Sequence, residues 1–318
     1  MSVDKSTKML QVVVAVIIQD NKLLLTKRAL HKVAGGAWEF PGGKIETDEQ
    51  PLAALIRECK EELAIDVNSA EHLIVVKHQY PEFIVELDAY LITDFTGIPI
   101  AAEQQPLKWV DINQVHQYLT EDVDFAIFNA AILPRRYFIT PNINHFDIRN
   151  HIEDPINRGF NLFQLRLPSA TKQQYLALAH EITQFAESHP DKPKIMLKGD
   201  ISILEEIPAA GLHLTSEQMY EFTTRPIQRD KLLAASIHNI GELEQAQKIS
   251  VDFVTLSPIK KTLSHSDVKP LSSKDVAQIM QQAQIPVFWL GGMRNADLGN
   301  AIKNGAQGIA AMRGFDFS

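Results

Sequence analysis

The sequence predicts a two-domain α/β protein: a mixed α/β unit, then a closed eight-stranded (β/α)8 barrel. Three observations carry this. The chain has 318 residues, 45% of them apolar, enough for two separate cores. The first third mixes short paired strands with a single strongly amphipathic helix. From Tyr137 onward, apolar strand-like runs alternate with amphipathic segments eight times, the rhythm of repeated βα units and a parallel sheet.

In order along the chain, "VVVAVII" and "KLLLTKR" read as paired strands with a turn at Asp20-Asn21. "AWEFPGG" is a short strand running into a Pro-Gly-Gly loop. Pro51 to Leu63 places Leu52, Leu55, Ile56, Cys59 and Leu63 at helical spacing. Pro51 suits the first helical position, where its missing N–H costs nothing, and Gln50 is a poor cap. Strands follow at "HLIVVKHQY", "FIVELDAYLI" and "LKWVDI", and a helix at Asp124 to Leu133. The seam is "LPRR", dividing the chain into 1–134 and 135–318. The eight barrel strands are "YFIT", "FQLRL", "KIMLK", "GLHL", "LLAASIH", "FVTLS", "VFWLGG" and "GIAAM". About 180 residues is compact for such a barrel, so several helices must be short.

The formal net charge of −8 argues against broad nucleic-acid binding but leaves room for a local patch that takes a small charged ligand. The polar start "MSVDKSTKML" and the short apolar run Val12 to Ile18 give neither a membrane span nor a cleavable leader. The lone cysteine, Cys59, allows no internal disulfide and fits a reducing, cytoplasmic setting.

The chemistry concentrates in "GGKIETDEQPLAALIRECKEELAID". On a helix, Glu58, Glu61 and Glu62 share a face, and Arg57 braces them from the flank. Alone, such carboxylates repel and raise one another's pKa. A hard divalent cation removes that cost, with substrate phosphates completing its shell. A solvated charged face is the competing reading.

Gly43, Glu49, Arg57, Glu58, Glu61, Glu62 and Ile65 fit the spacing G-x5-E-x7-R-E-U-x-E-E-x-G-U, so this segment resembles the Nudix box. The first domain is therefore expected to be an α/β/α sandwich with a mixed sheet. Cys59 stands where a bulky aliphatic residue is usual, and Ala64 replaces the box glycine. If that position has positive φ, alanine costs about 1 kcal/mol there. "TKRAL", "WEFPGGKIE" and "AAEQQPLKWV" extend the resemblance to the MutT branch over Leu10 to Leu133. The resemblance implies Mg²⁺, with Mn²⁺ as substitute, held by Glu58, Glu61, Glu62, the carbonyl of Gly42 and Glu103. It implies Arg28 and Phe40 beside a nucleotide and Asn129 at the base edge. Glu58 is favoured as ligand and base, Glu49 and Glu103 are its rivals, and Glu49 could instead hold Arg57.

In the second domain "FQLRL", "GLHLTSEQM", "AASIHN", "TLSPIKKT", "WLGGM" and "GAQGIAAM" resemble, in order, the strand ends of thiamine-phosphate synthase and TenI relatives. The resemblance implies a ligand site of Arg166, His238, Lys261, Gly291 and Gly292 that takes a thiazole or thiamine phosphate. Lys198-Gly199 and Thr215 to Gln218 stand where that family places its metal-binding aspartates, and Pro168 stands at a lysine position, so the barrel reads as degenerate. The expected function is hydrolysis of an oxidised purine nucleoside triphosphate, 8-oxo-dGTP first, to monophosphate and pyrophosphate, clearing the nucleotide pool of bases that would damage DNA. Two alternatives stay open: a hydrolase of thiamine-pathway or damaged pyrimidine diphosphates, and a hydrolase regulated by a ligand-sensing barrel without chemistry.

Overall fold

The computed structural model describes residues 8–28, 35–141, 148–261 and 268–315. The first seven residues, Ala29 and Leu30 of "TKRAL", and Thr262 of "TLSPIKKT" lie outside them. The chain divides into two compact units, Met1–Ile132 and Leu133–Ser318. No helix among the described residues is long and apolar enough to cross a membrane.

The first unit contains β1 (Lys8–Val16), β2 (Ile18–Gln19), β3 (Lys22–Lys27), β4 (Trp38–Glu39), β5 (Gly42–Lys44), α1 (Pro51–Leu63), β6 (Asp66–Gln79), β7 (Phe83–Thr96), β8 (Leu107–Asp111) and α2 (Asp122–Ile132). One mixed sheet runs β5-β1-β7-β6, and a second joins β2-β3-β4 with β8 on β3. The Asp20-Asn21 turn forms with φ of 49° and 61°, the left-handed pair that suits a two-residue hairpin. The pairing differs from expectation. Only Ile18 and Gln19 pair with β3, whereas β1 joins β5 and β7 in the other sheet. The apolar run is long enough to serve both sheets, and periodicity alone does not reveal where it divides.

The second unit contains β9 (Arg136–Ile139), α3 (Ile148–Asn157), β10 (Leu162–Gln164), α4 (Lys172–Ser188), β11 (Lys194–Leu197), α5 (Ile203–Glu206), β12 (Gly211–Leu214), α6 (Ser216–Met219), β13 (Leu232–Ile237), α7 (Ile240–Lys248), β14 (Phe253–Leu256), α8 (Ser273–Gln282), β15 (Val287–Leu290), α9 (Leu298–Lys303) and β16 (Gly308–Ala311). The eight strands close into a parallel barrel, with β16 pairing β9. Each strand expected from the sequence is present. Tyr137, Met196, Ala234, Phe253, Phe288 and Ala310 are among the buried residues of its core. Small residues opposite large ones let the layers interlock. α5 and α6 have four residues each, which is how a short chain completes the circuit.

Candidate active site

Helix α1 sets the first site. Ala54, Leu55, Cys59 and Leu63 are buried and pack against Val13, Ala15 and Ile65 in one core. Leu52 and Ile56 are exposed although Leu63, at nearly the same angle round the helix, is buried, so the core covers that side only near the end of the helix. Pro51 opens the helix and Gln50 makes no side-chain cap bond, as expected. Burial pushes the Cys59 thiol up to about 12, so it behaves as a small apolar side chain. The helix ends at Ala64, with φ 56° and ψ 27°. There the Ala64 N–H donates to the Lys60 carbonyl and the Ile65 N–H to that of Cys59, closing the helix in a left-handed cap that favours glycine.

Arg57 is the organising cation. Its Nε and Nη2 donate to the two oxygens of Glu49, each at 2.9 Å. Nη1 donates to Glu58 at 2.8 Å and Glu61 at 3.1 Å, and Nη2 also reaches the Lys44 carbonyl at 3.0 Å. The bond from Arg57, with the Glu46 N–H, holds the Glu49 carboxyl down at about 2. Glu49 is thus engaged at both oxygens and fixes the guanidinium. Gly43 makes room for Glu58: a Cβ there would stand 2.1 Å from the Glu58 carboxyl carbon.

Glu62 lies on the other side of the cluster. Its Oε2 accepts the Gly42 N–H at 3.0 Å. Gln105 donates to Glu62 at 3.4 Å and to Glu103 at 3.1 Å, so the loop carboxylate Glu103 is brought to the helix. Burial, opposed by the Gly42 bond and reinforced by the charges of Glu58, Glu103 and Glu39, pushes the Glu62 carboxyl up to about 7. Among the described residues, no three carboxylate, imidazole or thiol groups converge on an ion as they stand, because Arg57 draws Glu58 and Glu61 to itself. The donor set nevertheless fits a hard divalent cation. Oxygen ligands crowd beside a half-buried carboxyl whose ionisation is opposed by its neighbours, and a cation reverses that opposition.

A cavity of about 520 Å³ opens beside this cluster, lined by Gly42, Gly43 and Glu62, by Arg28, Trp38, Glu39 and Phe40, and by Asp124 and others. Phe40 is buried in its wall. Arg28 Nε donates to Glu39 at 2.6 Å. Trp38 stands edge-on to Tyr118, with the ammonium groups of Lys27 and Lys108 over its ring. Asn129 is buried at 3% exposure and is not in the wall. Asp124, five residues earlier on α2, is there instead. Burial, with the charges of Glu121 and Glu39, pushes its carboxyl up to about 7. The sequence hid Asp124 because an aspartate in the first turn of a helix is the expected partner of the helix dipole.

Of the five barrel residues, only Arg166 lines the cavity at the ends of β10 and β11. The Thr140 hydroxyl donates to the Arg166 carbonyl at 2.8 Å and accepts the Arg166 N–H at 2.7 Å. The Tyr175 hydroxyl donates to the Leu165 carbonyl at 3.1 Å and accepts the Lys198 N–H at 2.8 Å. These clips set Arg166 and Lys198 in the wall of one cavity of about 340 Å³, and none of His238, Lys261, Gly291 and Gly292 lines it. His238 is exposed and donates through Nδ1 to the Ser257 carbonyl at 2.7 Å. Gly291 and Gly292 have positive φ and seat the loop before Lys261: a Cβ on Gly292 would stand 2.9 Å from Lys260 Cβ. Thr215 and Gln218 of "TSEQ" form the capping box of α6.

A mixed-sheet unit with a Glu-rich helix beside one cavity is thus followed by an eight-stranded parallel barrel with Arg166 and Lys198 at another. The thiamine monophosphate synthase (TMP-TENI) family model matches residues 136–315, and the NUDIX domain model matches residues 13–130. The chain therefore belongs to the thiamine monophosphate synthase/TenI family, with a Nudix hydrolase domain of the MutT type at its N-terminus. The CTP pyrophosphohydrolase of Escherichia coli K12 is 37% identical over 128 residues, covering 40% of this chain and 95% of that protein. Putative thiamine-phosphate synthase 2 of Aquifex aeolicus VF5 is 28% identical over 184 residues, 58% of this chain and 98% of that one. The 8-oxo-dGTP diphosphatase of Proteus vulgaris is 41% identical over 75 residues, 24% of this chain and 67% of that one.

Proposed function

We propose that the first unit hydrolyses a nucleoside triphosphate to its monophosphate and pyrophosphate, using Mg²⁺ with Mn²⁺ as substitute, and that 8-oxo-dGTP is its leading substrate. The observation that carries this reading is one continuous cavity lined by Glu62 and Gly42 as well as by Arg28, Phe40 and Asp124. Acidic residues beside one part of that wall suit a metal-bound polyphosphate, and an aromatic ring with a carboxyl in another part suits a base. Glu58, Glu61, Glu62 and Glu103, with the Gly42 carbonyl, would hold the ion, which neutralises charge on the phosphates and lowers the pKa of a bound water. Glu58 would serve as the base that takes a proton from the attacking water, and Glu49 keeps Arg57 in place behind it.

A second substrate is favoured by Asp124. A neutral carboxylic acid offers a donor and an acceptor, which matches N3 and N4 of cytosine. The ionised form offers acceptors only, which match N1–H and N2–H₂ of a guanine-type edge. With its carboxyl pushed up to about 7, Asp124 is available in both forms near neutrality. The test measures pyrophosphate release from 8-oxo-dGTP, dGTP and CTP between pH 6 and pH 8, with and without Mg²⁺. The rate ratio of 8-oxo-dGTP to CTP is expected to rise through pH 7, and Asp124→Asn to flatten it. Taking the ratio cancels the pH dependence of the shared hydrolytic step. No metal-dependent release from any nucleotide removes the reading, and an unchanged ratio profile in Asp124→Asn removes the base assignment.

A further inference from the structure

The acidic cluster of the first unit has two organisers of different charge. On one flank the Arg57 guanidinium holds Glu49, Glu58 and Glu61. On the other the holder is a neutral amide. The half-buried Gln105 directs its amide hydrogens at two carboxylates, Glu62 Oε1 at 3.4 Å and Glu103 Oε2 at 3.1 Å. The second Glu62 oxygen accepts the Gly42 N–H at 3.0 Å. Both ends of that carboxylate are thus fixed, one by β5 and one by the loop after β7.

The loop is set by its own backbone before the amide acts. The Ile100 N–H donates to the Leu63 carbonyl at 3.0 Å and the Ala102 N–H to the Glu62 carbonyl at 3.1 Å, which ties the loop to the end of α1. The Gln104 N–H closes a turn onto the Ala101 carbonyl at 3.0 Å, and Gln104 has φ of 64°. That left-handed conformation is disfavoured for a residue with a side chain. It stands between Glu103 and Gln105, the two residues whose side chains bond each other.

Two carboxylates side by side repel, and a ligand carried on a loop can swing away. A lysine or arginine at position 105 would quench the repulsion but rival the incoming ion. An amide holds both oxygens with no net charge, and each oxygen keeps a lone pair for a metal.

We propose that Gln105 is a positioning residue of the acidic cluster: its uncharged amide sets the Glu62 and Glu103 carboxylates side by side for one divalent ion. This inference rests on the metal-dependent hydrolase reading above, and its test separates the two.

The test is Mn²⁺ binding to the full-length chain without nucleotide, read from the electron paramagnetic resonance signal of the free ion. Gln105→Met, which keeps the length and removes the donors, is expected to weaken binding about ten- to a hundredfold. Glu103→Gln is expected to weaken it in the same range. The double variant should fall no more than about threefold below the weaker single one, because both changes remove the same ligand. Gln105→Lys restores a donor but adds a positive charge, and is expected to bind Mn²⁺ more weakly than Gln105→Met; a purely structural role makes it the better binder of the two. Circular dichroism melts show that each variant is folded. If Gln105→Met unfolds, Gln105→Asn, whose amide is too short to span both carboxylates, takes its place. No Mn²⁺ binding by the unaltered chain at millimolar concentration removes the metal reading, and this inference with it. The positioning role alone is overturned, with the hydrolase left standing, by any of three results: Gln105→Met binding within about threefold of the unaltered chain, full additivity with Glu103→Gln, or Gln105→Lys binding more tightly than Gln105→Met.

Discussion

The two units hold their unbalanced charge in opposite ways. In the first, carboxylates crowd round a single arginine, and Glu62 is left half-buried among like charges. In the second, Tyr137, His213 and Ser236 form a bonded series inside the barrel, although the buried Thr183 hydroxyl has no partner among the described residues. Tyr137 bonds His213 Nδ1 at 2.9 Å, and His213 Nε2 bonds Ser236 at 3.0 Å; among the described residues, Arg166 and Lys198 stand at a cavity wall with no ion pair. An acidic excess calls for a cation and through it a polyphosphate, whereas a basic excess calls for the anion directly.

The sharpest way to break this comparison is at the acidic cluster. Glu58→Gln is expected to lower nucleotide turnover at least about 10²-fold, and Glu61→Gln to lower it strongly as well, with the melting temperature held. Steady-state assays across a Mg²⁺ titration read both, and an unchanged rate in Glu61→Gln takes it out of the metal set. Gly43→Ala comes next. Its added Cβ meets the Glu58 carboxyl, so turnover should fall about ten- to a hundredfold through misplacement alone, with no charge removed. A normal rate there means that Glu58 can move aside without cost.

The barrel interior is tested by pH. Burial, with the Lys198 charge, pushes His213 from 6.5 down to about 3. A base with a depressed folded pKa contributes stability above its unfolded pKa and loses it as pH falls toward the folded value. Hydrogen exchange in β12 and β13 should therefore show opening free energies that decline below pH 6.5 by about 1.4 kcal/mol per pH unit. His213→Gln should flatten that decline; the same slope in the variant assigns it to another group. The smallest effect is Ala64→Gly, which relieves a left-handed alanine and should stabilise the first unit by about 1 kcal/mol in thermal melts. A loss of stability there means that the Ala64 side chain packs well enough to outweigh its backbone cost.

Much of the site was legible because its residues are local. Gly43, Glu49, Arg57, Glu58, Glu61 and Glu62 lie within one short strand, one loop and one helix, so their spacing carried both the fit to the Nudix box and the cost at Ala64. Asp124 was not legible, since it shares a cavity wall with Phe40 and Glu62 only once the chain has folded and looks like an ordinary helix-start aspartate. Lys198 was read only as a departure from a relative's pattern; its place beside Arg166 depends on the Tyr175 clip between two loops.

By itself the sequence determined the two-unit α/β plan, the eight barrel strands and the acidic helix, because hydrophobic period and turn chemistry act over a few neighbouring residues. Only the tertiary structure decided how β1 is shared between the sheets, which carboxylates Arg57 takes, which side chains line each cavity, and which charges are left without a partner. Those outcomes depend on burial and on distances between residues far apart in the chain, and such distances do not exist until the chain has folded.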